Sequence, residues 1–293
     1  MKILILGITG MLGNAMFRYL SKDPSLSVFG TTRSDSALTF FSDHLHSNIV
    51  RNLDVENFDS LIQLFGFVEP HVVINCIGLI KQDADFNNPL KVIPINSVLP
   101  HRLAALCQMS GSRFIHFSTD CVFSGKKGGY LEIDFPDAAD LYGRSKLLGE
   151  VSYPYAITLR TSIIGHELKS RRSLLNWFLS QTGHVKGYVN ALFSGLPAVE
   201  LVRVIRDYVL PNNTLIGVYH VGGECISKYE VLKLISVVYR KQIEIVPDDK
   251  LVINRSINSD RFCEATGYIA PKWPELIETM HSSTIDSLGL FYV

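Results

Sequence analysis

Near its start the chain reads KILILGITGMLGNAM (residues 2–16), an apolar run that stops at Gly7 and meets two more glycines, at 10 and 13, before an amphipathic stretch resumes. A strand that turns at once into a helix needs a residue without Cβ crowding at the turn. A helix packed hard on that strand needs another inside its first turn. The same arrangement aims backbone amides out of the helix N-terminus, where they suit a pyrophosphate. An ordinary glycine turn shows the same spacing, so the order of strand, turn and helix is what favours dinucleotide binding. Gly7, Gly10, Met11, Leu12 and Gly13 are then the candidate phosphate contacts.

Strand-length apolar runs recur at residues 26–30, 71–76, 113–118 and 155–160, with a shorter one at 49–53. Helical patterns lie between them: Leu12 to Leu20, Asp54 to Phe65 with Phe58, Leu61, Ile62 and Phe65 on one stripe, Val98 to Met109, and Leu141 to Val151. That alternation marks a mostly parallel sheet covered on both faces. After about residue 165 it decays into shorter elements: helices near Ser173 to Leu179 and Ala198 to Val209, a strand at 218–222, and a helix from Lys228 to Tyr239 behind Ser227. The expected architecture is α/β, a Rossmann-type doubly wound parallel sheet over residues 1–165 to which later segments return. A smaller, irregular, mainly substrate-binding α/β lobe should occupy 166–293. Ligands of such sheets sit beyond the carboxyl ends of the strands, so chemistry should fall just after each strand.

With 293 residues, 47% of them hydrophobic, the chain can bury a sizeable core. Lys plus Arg and Asp plus Glu are equal at 28 each, which removes the long-range field that draws a protein to nucleic acid or an anionic membrane. Cys76, Cys107, Cys121, Cys225 and Cys263 are scattered, odd in number and free of C-x-x-C spacing. They suggest neither a disulfide framework nor a thiolate metal site, and no H-E-x-x-H or paired His set points to a metal. A reducing cytoplasm is the expected setting, because glycines break the first apolar run where a signal sequence would continue. Nothing here specifies assembly, and a homodimer is admissible.

The second apolar run ends in Gly30-Thr31-Thr32-Arg33-Ser34, with no carboxylate before Asp35. An acidic residue there would accept from the ribose 2′-hydroxyl of NAD, whereas an arginine suits the 2′-phosphate of NADP. Arg33 therefore points to NADPH, with NADH as the alternative cofactor and a solvated loop charge as the bland reading. Asp54, followed by Val55, is expected to cap the next helix and to face an adenine amino group. Asn75-Cys76-Ile77-Gly78 ends the fourth run with small residues that let backbone approach a flat ligand.

The fifth run leads into Ser118-Thr119-Asp120-Cys121-Val122-Phe123-Ser124-Gly125, and residues 138–151 read AADLYGRSKLLGEV. Tyr142 and Lys146 lie one helical turn apart on one face. Reducing a ketone with hydride leaves charge on the oxygen, so an acid must deliver a proton. A nearby ammonium favours the phenolate and brings a tyrosine towards the working pH. The spacing alone is weak, since Tyr229 and Lys233 repeat it without an upstream strand end of the same kind. Together, the glycine turn, STDCVFSG and YGRSKLLGE resemble the extended short-chain dehydrogenase/reductase superfamily and, within it, the dTDP-4-dehydrorhamnose reductase family. The likeness is strong to about residue 165 and fades towards the C-terminus, where VYHVGGECISKYEVLKLI is similar to the family's late strand and helix.

The resemblance implies Thr119, Tyr142 and Lys146 as the catalytic set, with Lys146 also holding the nicotinamide ribose and Thr119 preferred over Ser118 and Ser124 to orient the carbonyl. It implies an NADPH-dependent reductase of the 4-keto group of a nucleotide-activated 6-deoxyhexulose, feeding surface-polysaccharide synthesis. An epimerase with tightly bound NAD is an alternative. So is a binding subunit such as the non-catalytic subunit of methionine adenosyltransferase. Cys121 departs from the family's tyrosine, and Lys81-Gln82 follow an atypical fourth strand end. Lys81, Gln82, Asn96, Cys121 and Arg255 are therefore candidate substrate contacts, Asn96 more for positioning than for proton transfer. Arg171, Arg172, Arg203 and Arg261 are further candidates for a diphosphate. Trp177 and Tyr188 could stack on a base, although the spacing of Trp177 with Leu174 and Phe178 suits a core position.

Overall fold

The computed structural model describes residues 1–81, 87–168 and 171–288. In chain order the first elements are β1 (Lys2–Leu6), α1 (Met11–Leu20), β2 (Ser27–Thr31), β3 (Ile49–Val50), α2 (Phe58–Val68), β4 (Val72–Asn75), α3 (Pro89–Ile93), α4 (Leu99–Ser110), β5 (Arg113–Thr119), α5 (Leu141–Leu148) and β6 (Ala156–Thr161). There follow β7 (Ile163–Ile164), α6 (Leu174–Ser180), β8 (His184–Tyr188), β9 (Ala191–Phe193), β10 (Leu196–Pro197), α7 (Ala198–Val204) and β11 (Gly217–His220). The last are β12 (Ile226–Ser227), α8 (Lys228–Val238), β13 (Glu244–Asp248), β14 (Ile253–Asn254), α9 (Asp260–Thr266) and α10 (Trp273–Leu288).

The main sheet has seven strands in the order β11-β6-β5-β4-β1-β2-β3, parallel through β3, β2, β1, β4 and β5. Strand order reverses between β1 and β4, the point where an open sheet leaves a crevice beyond its strand ends. The first turn shows why glycine is needed. Gly7 has φ +83°, and a Cβ on Gly13 would stand 2.2 Å from the Gly7 carbonyl oxygen, so α1 rests directly on the end of β1.

The chain divides into two compact units, each assembled from three separate segments. The first comprises Met1–Ser118, Ala139–Leu159 and Val209–Val218. Its core packs Leu61, Leu64, Phe65 and Val68 of α2 and Leu99, Leu103, Leu106 and Cys107 of α4 with Leu4, Leu6, Val73 and Phe114 of the strands. The helical stripe is thus rotated from the expected one: Leu61 and Phe65 are buried, but Phe58 and Ile62 are exposed. A second correction concerns Asp54. Asn57 caps α2 by accepting from Ser60 N at 3.2 Å, while the Asp54 carboxylate turns back to Glu56 N at 3.0 Å. The change of cap follows from the helix starting at Phe58, four residues later than the apolar pattern implied. Ahead of α4, a wider π-type turn over Pro94–Val98 replaces regular helix, as Pro94 and Pro100 remove two amide donors.

The second unit comprises Thr119–Ala138, Arg160–Tyr208 and Tyr219–Val293. It holds a small sheet ordered β12-β9-β14 and a parallel pair of β8 and β13. Ser227 starts α8 in a full capping box with Glu230. Among the described residues no helix is long and apolar enough to cross a membrane.

The contrast between two glycines is testable. Gly13→Ala should destabilise the protein by about 1–3 kcal/mol through forced overpacking. Gly66→Ala, in α2 with nothing within 4 Å of the added methyl, should stabilise it by about 0.5–1 kcal/mol. Thermal or denaturant unfolding would contradict the account if the two variants shifted in the same direction.

Candidate functional site

In the first unit the residues expected to hold a dinucleotide gather at the β1 and β4 ends. Gly10 caps α1 with no side-chain cap bond, and no acidic residue occupies the first turn. The first intrahelical bond is Asn14 N to Gly10 O at 2.8 Å, which leaves the amides of Met11, Leu12 and Gly13 without a helical acceptor. The other wall is the β4 end, since a Cβ on Gly7 would meet Ile77 Cγ1 at 2.7 Å. Asn75 is buried and shapes that wall: its Oδ1 accepts from Ile77 N at 3.0 Å and its Nδ2 bonds His116 Nδ1 at 3.2 Å. Burial pushes the Cys76 thiol up, so it stays neutral. Arg33 is exposed after β2, with no hydrogen bond or ion pair among the described residues, while Asp35 is engaged by Arg51 at 3.4 Å and Asn52 at 3.0 Å. Asp54 is exposed and Val55 buried.

Helix α5 carries Tyr142 and Lys146 in the same unit. Asp140 caps it, Oδ1 accepting from Gly143 N at 2.9 Å, and Oδ2 accepts from Lys81 Nζ at 2.7 Å. Lys81 thereby lies over the half-buried Tyr142 ring, 5.7 Å from its centroid. Lys146 is only 6% exposed and donates from Nζ to the Phe117 carbonyl at 2.7 Å. Burial lowers its pKa to about 8, against the opposing pull of Glu150 and Cys76. Glu150 accepts from Ser118 Oγ at 2.6 Å. Gly78 stands beside this ammonium, 3.8 Å from where its Cβ would be. The other tyrosine and lysine pair differs: Lys233 is exposed and folds over the Tyr229 ring at 5.4 Å. Asn96 is fully buried, its amide spent on Leu79 N and O at 2.8 and 2.9 Å and on Ser145 Oγ at 3.1 Å. That fits positioning, because no donor is left for a ligand. Gln82 lies outside the described residues.

Thr119, Cys121 and Arg255 belong to the second unit. Thr119 Oγ1 accepts from Cys121 N and donates to Asp120, both at 3.1 Å. Asp120 is buried, and desolvation raises its pKa against the field of Lys228 and Arg255 and the hydrogen bonds from Thr119 and Cys121. The competing hydroxyls are engaged with other carboxylates: Ser118 with Glu150, and Ser124 with Asp137 at 2.6 Å. Arg255 donates Nε to Phe123 O at 3.0 Å. Arg203 is bound in a bidentate pair with Glu200, and Arg261 covers the Tyr219 ring at 4.4 Å. Arg171 and Arg172 are exposed, and Trp177 and Tyr188 are not core residues. Asp120 and Lys228 were missed by sequence reasoning. A lysine in the first turn of a helix, against the macrodipole, was the signal for the second. Among the described residues no cluster of His, Cys, Asp and Glu could hold a metal.

Residues 1–250 match the model of the RmlD substrate binding domain family. A "Probable low-salt glycan biosynthesis reductase Agl14" of Haloferax volcanii is 33% identical over 165 residues, 55% of this chain and only about half (52%) of that relative's length. Methionine adenosyltransferase 2 subunit beta of Danio rerio is 29% identical over 78% of this chain and 71% of its own. A dTDP-4-dehydrorhamnose reductase of Aggregatibacter actinomycetemcomitans is 26% identical over 84% of this chain and 82% of its own. The crystal structure of dTDP-4-dehydrorhamnose reductase from Bacillus anthracis in complex with NADP shares the fold, with a TM-score of 0.78 at 22% identity over 97% of this chain and 99% of that one. The chain belongs to the RmlD substrate binding domain family, within the extended short-chain dehydrogenase/reductases.

Proposed function

We propose that the chain is an NADPH-dependent oxidoreductase that reduces the 4-keto group of a nucleotide-activated 6-deoxyhexulose, in the manner of the dTDP-4-dehydrorhamnose reductases, for surface-polysaccharide synthesis in the cytoplasm. One observation carries the chemistry: Lys146 is buried against the Phe117 carbonyl one turn after Tyr142, and burial lowers its pKa to about 8. The bare α1 N-terminus, the Gly7 and Gly13 turn and Arg33, which has no ion pair among the described residues, fit NADPH, which when bound supplies the hydride. Met11, Leu12 and Gly13 would present amides to its pyrophosphate and Arg33 its guanidinium to the 2′-phosphate.

In this reading Tyr142 gives its phenolic proton to the oxygen of the reduced carbonyl. Lys146 stabilises the phenolate left behind, and its carbonyl tether keeps the ammonium from swinging away. Thr119 orients the keto oxygen. Its one proton points to Asp120, so donating to substrate requires that hydroxyl to turn. The likeness to methionine adenosyltransferase 2 subunit beta favours a second reading, a binding subunit on the same fold.

Mixing enzyme and NADPH with dTDP-, UDP- and GDP-linked 4-keto-6-deoxy sugars should consume the cofactor with one of them. Silence across all three, together with stable co-purification on a larger enzyme, would favour the binding subunit. Tyr142→Phe should lower kcat by about 10²–10⁴-fold while NADPH affinity stays within about twofold. Arg33→Ala should weaken NADPH by about tenfold or more and NADH by less than about twofold, since only one carries the 2′-phosphate. Equal losses would remove that role from Arg33. A stability series tests the buried ammonium apart from activity. The Lys146 pKa is about 8 in the folded protein against 10.5 for an ordinary lysine, so its burial cost is fully present below pH 8 and fades as pH rises to 10.5. Lys146→Met should therefore be the more stable protein at pH 7, with an advantage that shrinks across that window. A constant difference would contradict the burial.

A further inference from the structure

Two ties join the segment after β4 to α5, and both lie within the first unit. The first runs through the buried side chain of Asn96, which accepts from Leu79 N at 2.8 Å and donates to Leu79 O at 2.9 Å and to Ser145 Oγ at 3.1 Å. Ser145 Oγ in turn donates to the Tyr142 carbonyl at 2.9 Å. The second tie comes two residues after Leu79, where Lys81 Nζ donates to Asp140 Oδ2 at 2.7 Å while Asp140 Oδ1 caps α5 through Gly143 N at 2.9 Å. A backbone clamp and an ion pair thus fix the Lys81 ammonium over the Tyr142 ring, 5.7 Å from its centroid.

The side chains of Lys81 and Asp140 are 33% and 44% exposed, and an ion pair so open to water adds little stability. Its consequence is the placement of a charge. A cation over the face of a phenol ring is attracted to the neutral ring, and it is attracted far more strongly to the phenolate. Lys146, one turn further along α5, acts in the same direction, and the Asp140 carboxylate opposes both. Arg144, on the same helix, is exposed. Behind Lys146, burial keeps the Cys76 thiol and the His116 imidazole neutral, and Glu150 accepts from Ser118 Oγ.

We infer that Lys81 is a positioning residue for the proton donor: held by Asp140 over the Tyr142 ring, its ammonium stabilises the phenolate that proton transfer leaves behind. Asp140 has two parts in this. It anchors the ammonium, and its own negative charge limits how far the phenolate is favoured, so that Tyr142 still carries a proton to give. The assignment rests on the proposed role of Tyr142, but its test needs no substrate.

Ultraviolet titration of the phenolate, read as the difference between each protein and the same protein carrying Tyr142→Phe, gives the Tyr142 pKa directly. Lys81→Met should raise that pKa by about one unit, and Asp140→Asn, which keeps a capping side chain, should lower it by about as much. Lys81→Arg should stay within about 0.3 unit of wild type, and all three should melt within a few degrees of it. At neutral pH Lys81→Met should also lower kcat by about two- to fivefold, with NADPH affinity unchanged. A Tyr142 pKa that Lys81→Met leaves in place, or that Lys81→Met and Asp140→Asn move in the same direction, would overturn the assignment. Wild-type protein that turns over none of the nucleotide-linked 4-keto sugars would remove the reductase reading, and the titration would still decide whether Lys81 acts on the phenol.

Discussion

The first unit depends on the contact between Gly7 and Gly13. A methyl at position 13 would collide with the Gly7 carbonyl at 2.2 Å, so only glycine lets α1 start flush with the end of β1. That contact sets the height of α1 over β1 and β2. It also leaves the first-turn amides facing outward between the β1 and β4 ends. A Cβ on Gly30 would also strike the Ile8 and Phe17 side chains, so β2 packs closely beneath α1. Where the sheet reverses direction, backbone rather than side chains forms the ligand surface.

The proposed chemistry rests on a buried ammonium whose surroundings come from several strand ends. Phe117 supplies a carbonyl, Glu150 a carboxylate tied to Ser118, and Gly78 the space beside Nζ. A surface lysine would titrate with its pKa near 10.5, whereas burial brings Lys146 to about 8. In that range its charge is present but only moderately favoured, as suits a group that stabilises a transient phenolate. Asp140 ties the helix cap to Lys81 and so sets what lies over the Tyr142 ring.

The parallel sheet was legible because its longer strands are short apolar runs and the helices α1, α2 and α4 between them carry apolar residues at helical spacing. What escaped was decided by interactions that periodicity does not encode. Asp54 and Asn57 are both good caps, and the choice of Asn57 starts α2 at Phe58. The pairing of β13 with β8 joins Glu244–Asp248 to His184–Tyr188, segments too far apart and too polar to pair by pattern. The glycine turn and the Tyr142 and Lys146 pair were readable from position after a strand end. The position of Lys228 was not, because it depends on how the two-residue strand β12 pairs with β9. Lys228 had looked like the first residue of an ordinary helix.

The central claim is that this chain moves a hydride from NADPH to C4 of a nucleotide-linked sugar while Tyr142 supplies the proton. The most direct measurement follows deuterium from 4-deuterated NADPH into product by mass spectrometry and NMR. The account predicts one deuterium, at C4, with cofactor oxidised in equal amount, and loss of that transfer in Tyr142→Phe. A product without label, or label transfer unaffected in Tyr142→Phe, would contradict it.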